Sequence, residues 1–201
     1  MGWAVLVIDM QRDYCASDGA LAQRGMGLEH SDAWVDAVER LISYARRVRI
    51  PVFWVRTEHS LQTDSRAWSS RRLKVDDQLA VSDAPICQPG SPGAEFYALS
   101  PSPQDLVVVK HRYSAFVGTD LMIRLRALDV NQLAIAGTAT EVCVESTIRD
   151  AFQRDFYTVA IADGCISSDH SQHLSALMRF ERFFGRVLNV DDMKVEWESV
   201  N

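Results

Sequence analysis

Leu133-Ala134-Ile135-Ala136-Gly137-Thr138-Ala139-Thr140-Glu141-Val142-Cys143 reads as a strand turning into a helix. The first four residues form a short apolar run of strand length, Gly137 and Thr138 punctuate it, and Ile148, Ala151 and Phe152 then recur at helical spacing. The same kind of run stands at residues 3–8, 52–55, 106–109, 157–161 and 186–188. Six short apolar runs alternating with helical segments are the pattern of βα units around a parallel sheet buried on both faces. The expected fold is α/β, a three-layer αβα doubly wound sheet of six mostly parallel strands.

The helical segments carry their own signals. Ser31 stands as an N-cap, Trp34, Val38, Leu41, Ala45 and Val48 share one face, and Arg46, Arg47 and Arg49 gather at the end where a helix dipole favours cations. Leu121, Leu125 and Leu128 repeat the pattern before the fourth strand. Residues 57–105 differ: 49 residues with Pro85, Pro89, Pro92, Pro101 and Pro103 show little periodicity. The expectation is one domain over 1–201, with 57–105 as an insertion that builds a lid or an interface.

At 201 residues and 47% hydrophobic content the chain can bury a sizeable core. Its net charge of -6 disfavours a nucleic-acid partner, and no apolar run approaches the roughly 18 residues of a membrane span. Met1-Gly2 offers no basic leader, so the cytoplasm is the expected compartment. Gly25-Met26-Gly27 lacks the third glycine and the preceding strand of a dinucleotide fingerprint, and neither GxSxG nor a P-loop is present. No cofactor is expected.

Ligands of open parallel sheets bind beyond the carboxyl ends of the strands, and three residues stand there: Asp9, Lys110 and Cys143. Singly, each has a plain explanation as turn former, solvated cation or small core residue, and the last applies to Cys15, Cys87 and Cys165. Cys143 is different because a Gly/Thr-rich turn carries it into the first turn of a helix beginning near Glu141, where unpaired N–H groups favour a thiolate. Lys110 would strengthen that preference, and Asp9 could take the proton. Carboxylate, ammonium and thiol form a complete set for covalent catalysis.

At Val7-Ile8-Asp9-Met10-Gln11, at Lys110-His111-Arg112-Tyr113-Ser114-Ala115-Phe116, and from Gly137 through Ala151, the sequence resembles the isochorismatase-like cysteine hydrolases. Within that superfamily the amidohydrolase branch, with its carbamoylsarcosine and ureidoacrylate amidohydrolases, is nearest. The resemblance implies a catalytic triad of Asp9, Lys110 and Cys143, a cis peptide between Thr138 and Ala139, and an oxyanion hole from the Ala139 and Cys143 N–H groups. It also implies a homo-oligomer acting on a small-molecule substrate. Gln11, Tyr14, Tyr113 and Phe116 flank the triad in sequence and are the candidate substrate-binding residues, with plain packing as their alternative.

One departure concerns metal. Nicotinamidases build a metal site after the second strand from an Asp and a His pair closely followed by another His, whereas this chain reads Arg56-Thr57-Glu58-His59-Ser60. No further His follows until His111, so no metal is expected and His59 reads as a solvated loop residue. His170 and His173, at i,i+3, read as surface. The sequence thus points to metal-independent cleavage of an amide or ureido C–N bond through a thioester. Two rivals are enol-ether hydrolysis with Asp9 as the acid, and a non-catalytic binding protein on the same fold. Arg66, Arg71 and Arg72 are candidates for a substrate carboxylate or plain surface charge.

Overall fold

The computed structural model describes residues 2–28, 31–69 and 86–200. The elements run β1 (Gly2–Ile8), α1 (Arg12–Cys15), α2 (Ser31–Arg47), β2 (Val52–Thr57), α3 (Arg66–Ser69), β3 (Leu106–Lys110), α4 (Leu121–Ala127) and β4 (Val130–Thr138). They continue with α5 (Glu145–Phe152), β5 (Tyr157–Ile166), α6 (His170–Phe183), β6 (Arg186–Leu188) and α7 (Val190–Val200). The described strands form one sheet in the order β3-β2-β1-β4-β5-β6, every pair parallel. This is the doubly wound order, and its direction reverses between β1 and β4.

β1 shows why the apolar runs are continuous rather than alternating. Trp3, Val5 and Val7 pack under α2 and α7, against Trp34, Val38, Leu41, Met193 and Trp197. Ala4, Leu6 and Ile8 face the opposite way, onto Leu121 and Leu125 of α4, Ile148 and Ala151 of α5, and Ala176 and Phe180 of α6. Both faces of this central strand are therefore dry, and the three layers follow from the pleat.

Several strands outrun their apolar cores. β2 reaches Thr57, β4 spans Val130–Thr138, and β5 continues through Asp163 and Gly164 to Ile166. The extra polar residues are paired: Asp163 Oδ1 accepts from the Val190 N–H at 2.9 Å, and Gly164 O from Trp34 Nε1 at 2.8 Å. Hydropathy stops where side chains turn polar, but backbone pairing does not.

Residues 86–105 are laced to the carboxyl edge of the sheet. Arg12 N donates to Glu95 O at 2.9 Å, Tyr97 N donates to Met10 O at 2.9 Å, and Gln11 bridges antiparallel to Phe96. Asp105, almost wholly buried, pairs with Arg46 and accepts from Trp54 Nε1 at 3.0 Å, which anchors the return into β3. Of the prolines, Pro85 lies outside the described residues, and Pro92 opens a short 3-10 turn at Pro92–Ala94. At the far end of β4, Gly137 has φ +130°, and a Cβ there would sit 2.1 Å from the Ile8 carbonyl oxygen. Only glycine lets β4 close so tightly on the end of β1.

Candidate active site

Three strand ends converge at the switch point. Asp9 follows β1 with φ +53°, Lys110 ends β3, and Cys143 lies in a π-helical turn, Thr140–Val144, between β4 and α5. Lys110 is fully buried, and its Nζ stands 2.7 Å from Asp9 Oδ2 and 3.5 Å from Cys143 Sγ. Nζ also donates to Thr57 Oγ1 at 2.8 Å and to the Arg112 carbonyl at 3.0 Å. Thr57 Oγ1 in turn donates to Asp9 Oδ1 at 2.8 Å. The three residues expected to meet do meet, so Lys110 is not the solvated cation of its plain reading.

The Thr138–Ala139 peptide is cis. Beyond it the chain enters α5 through the π turn rather than an ordinary first helical turn. The N–H groups of Val142 and Val144 both donate to the Ala139 carbonyl, at 3.1 and 3.2 Å, and Thr147 Oγ1 holds the Cys143 carbonyl at 2.7 Å. Ala139 and Cys143 both line the cavity described below.

Burial opposes the preference of this turn for a thiolate. Burial pushes the Cys143 thiol far up, Lys110 pulls it down less, and Asp9, within hydrogen-bonding reach of the sulfur, adds to the rise. Burial by itself would depress the Lys110 ammonium, but Asp9 and Cys143 outweigh it and hold it above its ordinary value. At rest the sulfur therefore keeps its proton, with a carboxylate beside it, so attack requires proton transfer rather than a stored thiolate.

The other cysteines are buried thiols, as expected for core residues, and burial pushes Cys165 to about 12 and Cys15 and Cys87 well above their ordinary value. Folded thiols thus keep protons that unfolded ones lose, so stability is fully present below the ordinary thiol pKa of about 8.5 and falls above it. The expected slope is about 1.4 kcal/mol per pH unit for each thiol still protonated only in the fold. Urea unfolding between neutral pH and pH ~10 checks this, and a flat profile across the thiol range would contradict it.

A cavity of about 160 Å³ opens on the sulfur. That is close to the ~150 Å³ of an engineered cavity that takes benzene, so the occupant is a small molecule. Its walls include Tyr14, Trp68, Ile86 and Tyr113, with His59, Arg112 and Glu141 supplying polar edges. Burial, together with Cys87, Asp9 and Cys143, holds the Tyr14 phenol well above its ordinary pKa, so it is a donor.

Two expected pocket residues point elsewhere. Gln11 is wholly buried and uses its amide to tie loops together: Nε2 donates to Thr57 O and Ala94 O, each at 2.9 Å, and Oε1 accepts from Thr57 N at 2.7 Å. Phe116 packs into the core against Phe156, with ring centroids 5.8 Å apart. Tyr14 and Tyr113 do line the cavity.

His59, read as solvated, instead pairs with Asp64 at 3.1 Å and lies near Trp68 on the cavity wall. His173 is also not plain surface, since its Nδ1 lies 2.9 Å from Thr140 Oγ1, and partial burial and the nearby His170 lower its pKa. Arg66 is exposed, Arg71 and Arg72 lie outside the described residues, and among the described residues Arg112 brings a guanidinium to the wall. Among the described residues no group of three or more His, Cys, Asp or Glu could hold a metal ion, and no helix is long and apolar enough to cross a membrane.

Thr57 was missed because the apolar run ends at Val55. Extending the second strand by its two paired residues places Thr57 at the carboxyl edge beside Asp9 and Lys110.

Sheet order and site together define a doubly wound α/β domain with a buried Asp, Lys and Cys cluster at its switch point. The chain belongs to the isochorismatase family, whose domain model matches residues 3–192. It is 33% identical over 195 residues to the ureidoacrylate amidohydrolase of Methylobacterium radiotolerans, covering 92% of this chain and 76% of that one. Among solved structures it resembles a cysteine hydrolase from Pseudomonas syringae pv. phaseolicola, with TM-score 0.80, 27% identity and coverage of 99% and 93% of the two chains. It also resembles the nicotinamidase of Bacillus subtilis, with TM-score 0.79, 27% identity and coverage of 94% and 100%.

Proposed function

We propose that the chain is a metal-independent amidohydrolase that cleaves a C–N bond of a small amide or ureido compound through a thioester on Cys143. The observation that carries this reading is that Lys110 Nζ stands 2.7 Å from Asp9 Oδ2 and 3.5 Å from Cys143 Sγ in a buried site open to a small cavity. The relatives named for ureidoacrylate and nicotinamide hydrolysis support the C–N bond as the target.

The Cys143 S–H bond breaks, its proton passes to Asp9, and the sulfur electron pair attacks the carbonyl carbon. Lys110 balances the charge on sulfur. The Ala139 and Cys143 N–H groups receive the developing oxyanion, a role that the presence of both residues in the cavity lining supports. Collapse of the tetrahedral adduct breaks the C–N bond as Asp9 returns the proton to nitrogen, so ammonia or an amine leaves and a thioester remains. Water then gives a proton to Asp9 and attacks the thioester. The C–S bond breaks, the acid product departs, and Asp9 reprotonates the sulfur. No step needs a metal or a redox cofactor.

Ammonia release from a panel of small primary amides and N-carbamoyl acids tests the proposal. An N-carbamoyl acid should be hydrolysed, at a rate that prolonged chelator treatment leaves unchanged. Absence of ammonia from every member, or a chelator loss restored by zinc, iron or manganese, would overturn it.

A further inference from the structure

We propose that Thr57 is a positioning residue that fixes which oxygen of Asp9 receives the Cys143 proton, an inference resting on the cysteine-hydrolase reading above. An ammonium can only donate, so at 2.8 Å Thr57 Oγ1 accepts from Lys110 Nζ. A hydroxyl has one proton, and with Lys110 donating into it, that proton goes to Asp9 Oδ1 at 2.8 Å. Oδ1 is thereby held as an acceptor.

Lys110 has three protons and four acceptors in reach: Asp9 Oδ2 at 2.7 Å, Thr57 Oγ1 at 2.8 Å, the Arg112 carbonyl at 3.0 Å and Cys143 Sγ at 3.5 Å. Asp9 Oδ2 stands 2.7 Å from the ammonium, yet among the described residues it receives no well-directed hydrogen bond. It is charge-stabilised but has no donor aligned on it, and Cys143 Sγ shares the same ammonium at 3.5 Å. In the attack the S–H bond breaks and an O–H bond forms at Oδ2. The electron pair stays on sulfur, leaving a neutral carboxyl and a thiolate facing an ammonium.

Removing the Thr57 hydroxyl undoes both constraints. Oδ1 loses its donor, and the Lys110 proton that served Thr57 turns to the other acceptor in reach, Oδ2, which blocks it. The test uses no substrate: the full-length protein is pulsed with iodoacetamide at neutral pH, and alkylation of each cysteine is followed by peptide mass spectrometry. Thr57→Val should slow Cys143 alkylation at least ~10-fold, less than the ~10²-fold that a whole general base contributes, because Asp9 itself remains. Thr57→Ser, which restores the hydroxyl, should recover to within about 3-fold of the parent. Thr57→Ala, with room for a water, should fall between them and guards against a Val variant that does not fold.

Parental rates in both Thr57→Val and Thr57→Ala would overturn the positioning role. So would a Thr57→Ser variant that folds yet is as slow as Thr57→Val, because the hydroxyl would then not be what matters. If Cys143 in the parent reacts no faster than Cys15, Cys87 and Cys165, the nucleophile reading itself fails and the proposal falls with it. The parent arm separates that failure from a failure confined to Thr57.

Discussion

Cys143→Ala is expected to abolish hydrolysis, lowering kcat by at least ~10⁴-fold, because loss of the nucleophile leaves only binding and the oxyanion donors to assist water. The fold should persist. Alanine removes one sulfur from the edge of a core cluster, and the Asp9 and Lys110 pair, at 2.7 Å, is left intact with Thr57 still bridging it. Steady-state ammonia release, with thermal unfolding as the control, measures both halves of the expectation. Asp9→Asn should be comparably severe, since it removes the base for attack and the acid for the leaving nitrogen. The pair of variants separates the two chemistries open to this family. Protonation of an enol ether needs the Asp9 acid alone, so in that case Cys143→Ala would keep near-normal rates while Asp9→Asn would not.

Lys110→Met carries the second large effect, on stability as well as reactivity. The ammonium touches Asp9, Thr57, the Arg112 carbonyl and Cys143, and both Lys110 and Asp9 are almost completely shielded from water. Methionine fits the space but leaves the Asp9 carboxylate buried without its counter-ion, and breaking a buried pair from one side costs about 3–5 kcal/mol. Lys110 is also the chief influence pulling the Cys143 thiol down against burial, so its loss should push that thiol higher and slow alkylation at neutral pH. Urea unfolding and iodoacetamide labelling read the two consequences separately. Unchanged stability together with parental labelling would remove Lys110 from the account.

How much of this could be read from the chain depends on whether the signal is local. The strands were legible because a sheet covered on both faces demands continuous apolar runs, as in β1, and the six runs recur in the structure with the expected layers. Asp9, Lys110 and Cys143 were legible because strand ends in such a sheet share one edge. What sequence reading missed arises from contacts far apart in the chain. Gln11 was placed in the pocket by its neighbours in sequence, but its amide is claimed by Thr57 and Ala94, 46 and 83 positions away. Phe116 was drawn into the core by Phe156 in the same way. The upward push on the Cys143 thiol could not be read from a helix start, because burial is a property of the whole fold.

The central claim is a covalent bond between substrate and Cys143, and mass spectrometry of protein acid-quenched during turnover of a hydrolysed N-carbamoyl acid tests it directly. The account predicts a mass increase equal to the acyl group on the peptide carrying Cys143, present only while substrate lasts and absent from Cys143→Ala. A Cys143→Ala variant that turns the same substrate over at close to the parental rate, with no acyl mass on Cys143 in the parent, would contradict it and leave Asp9 as the sole catalytic acid.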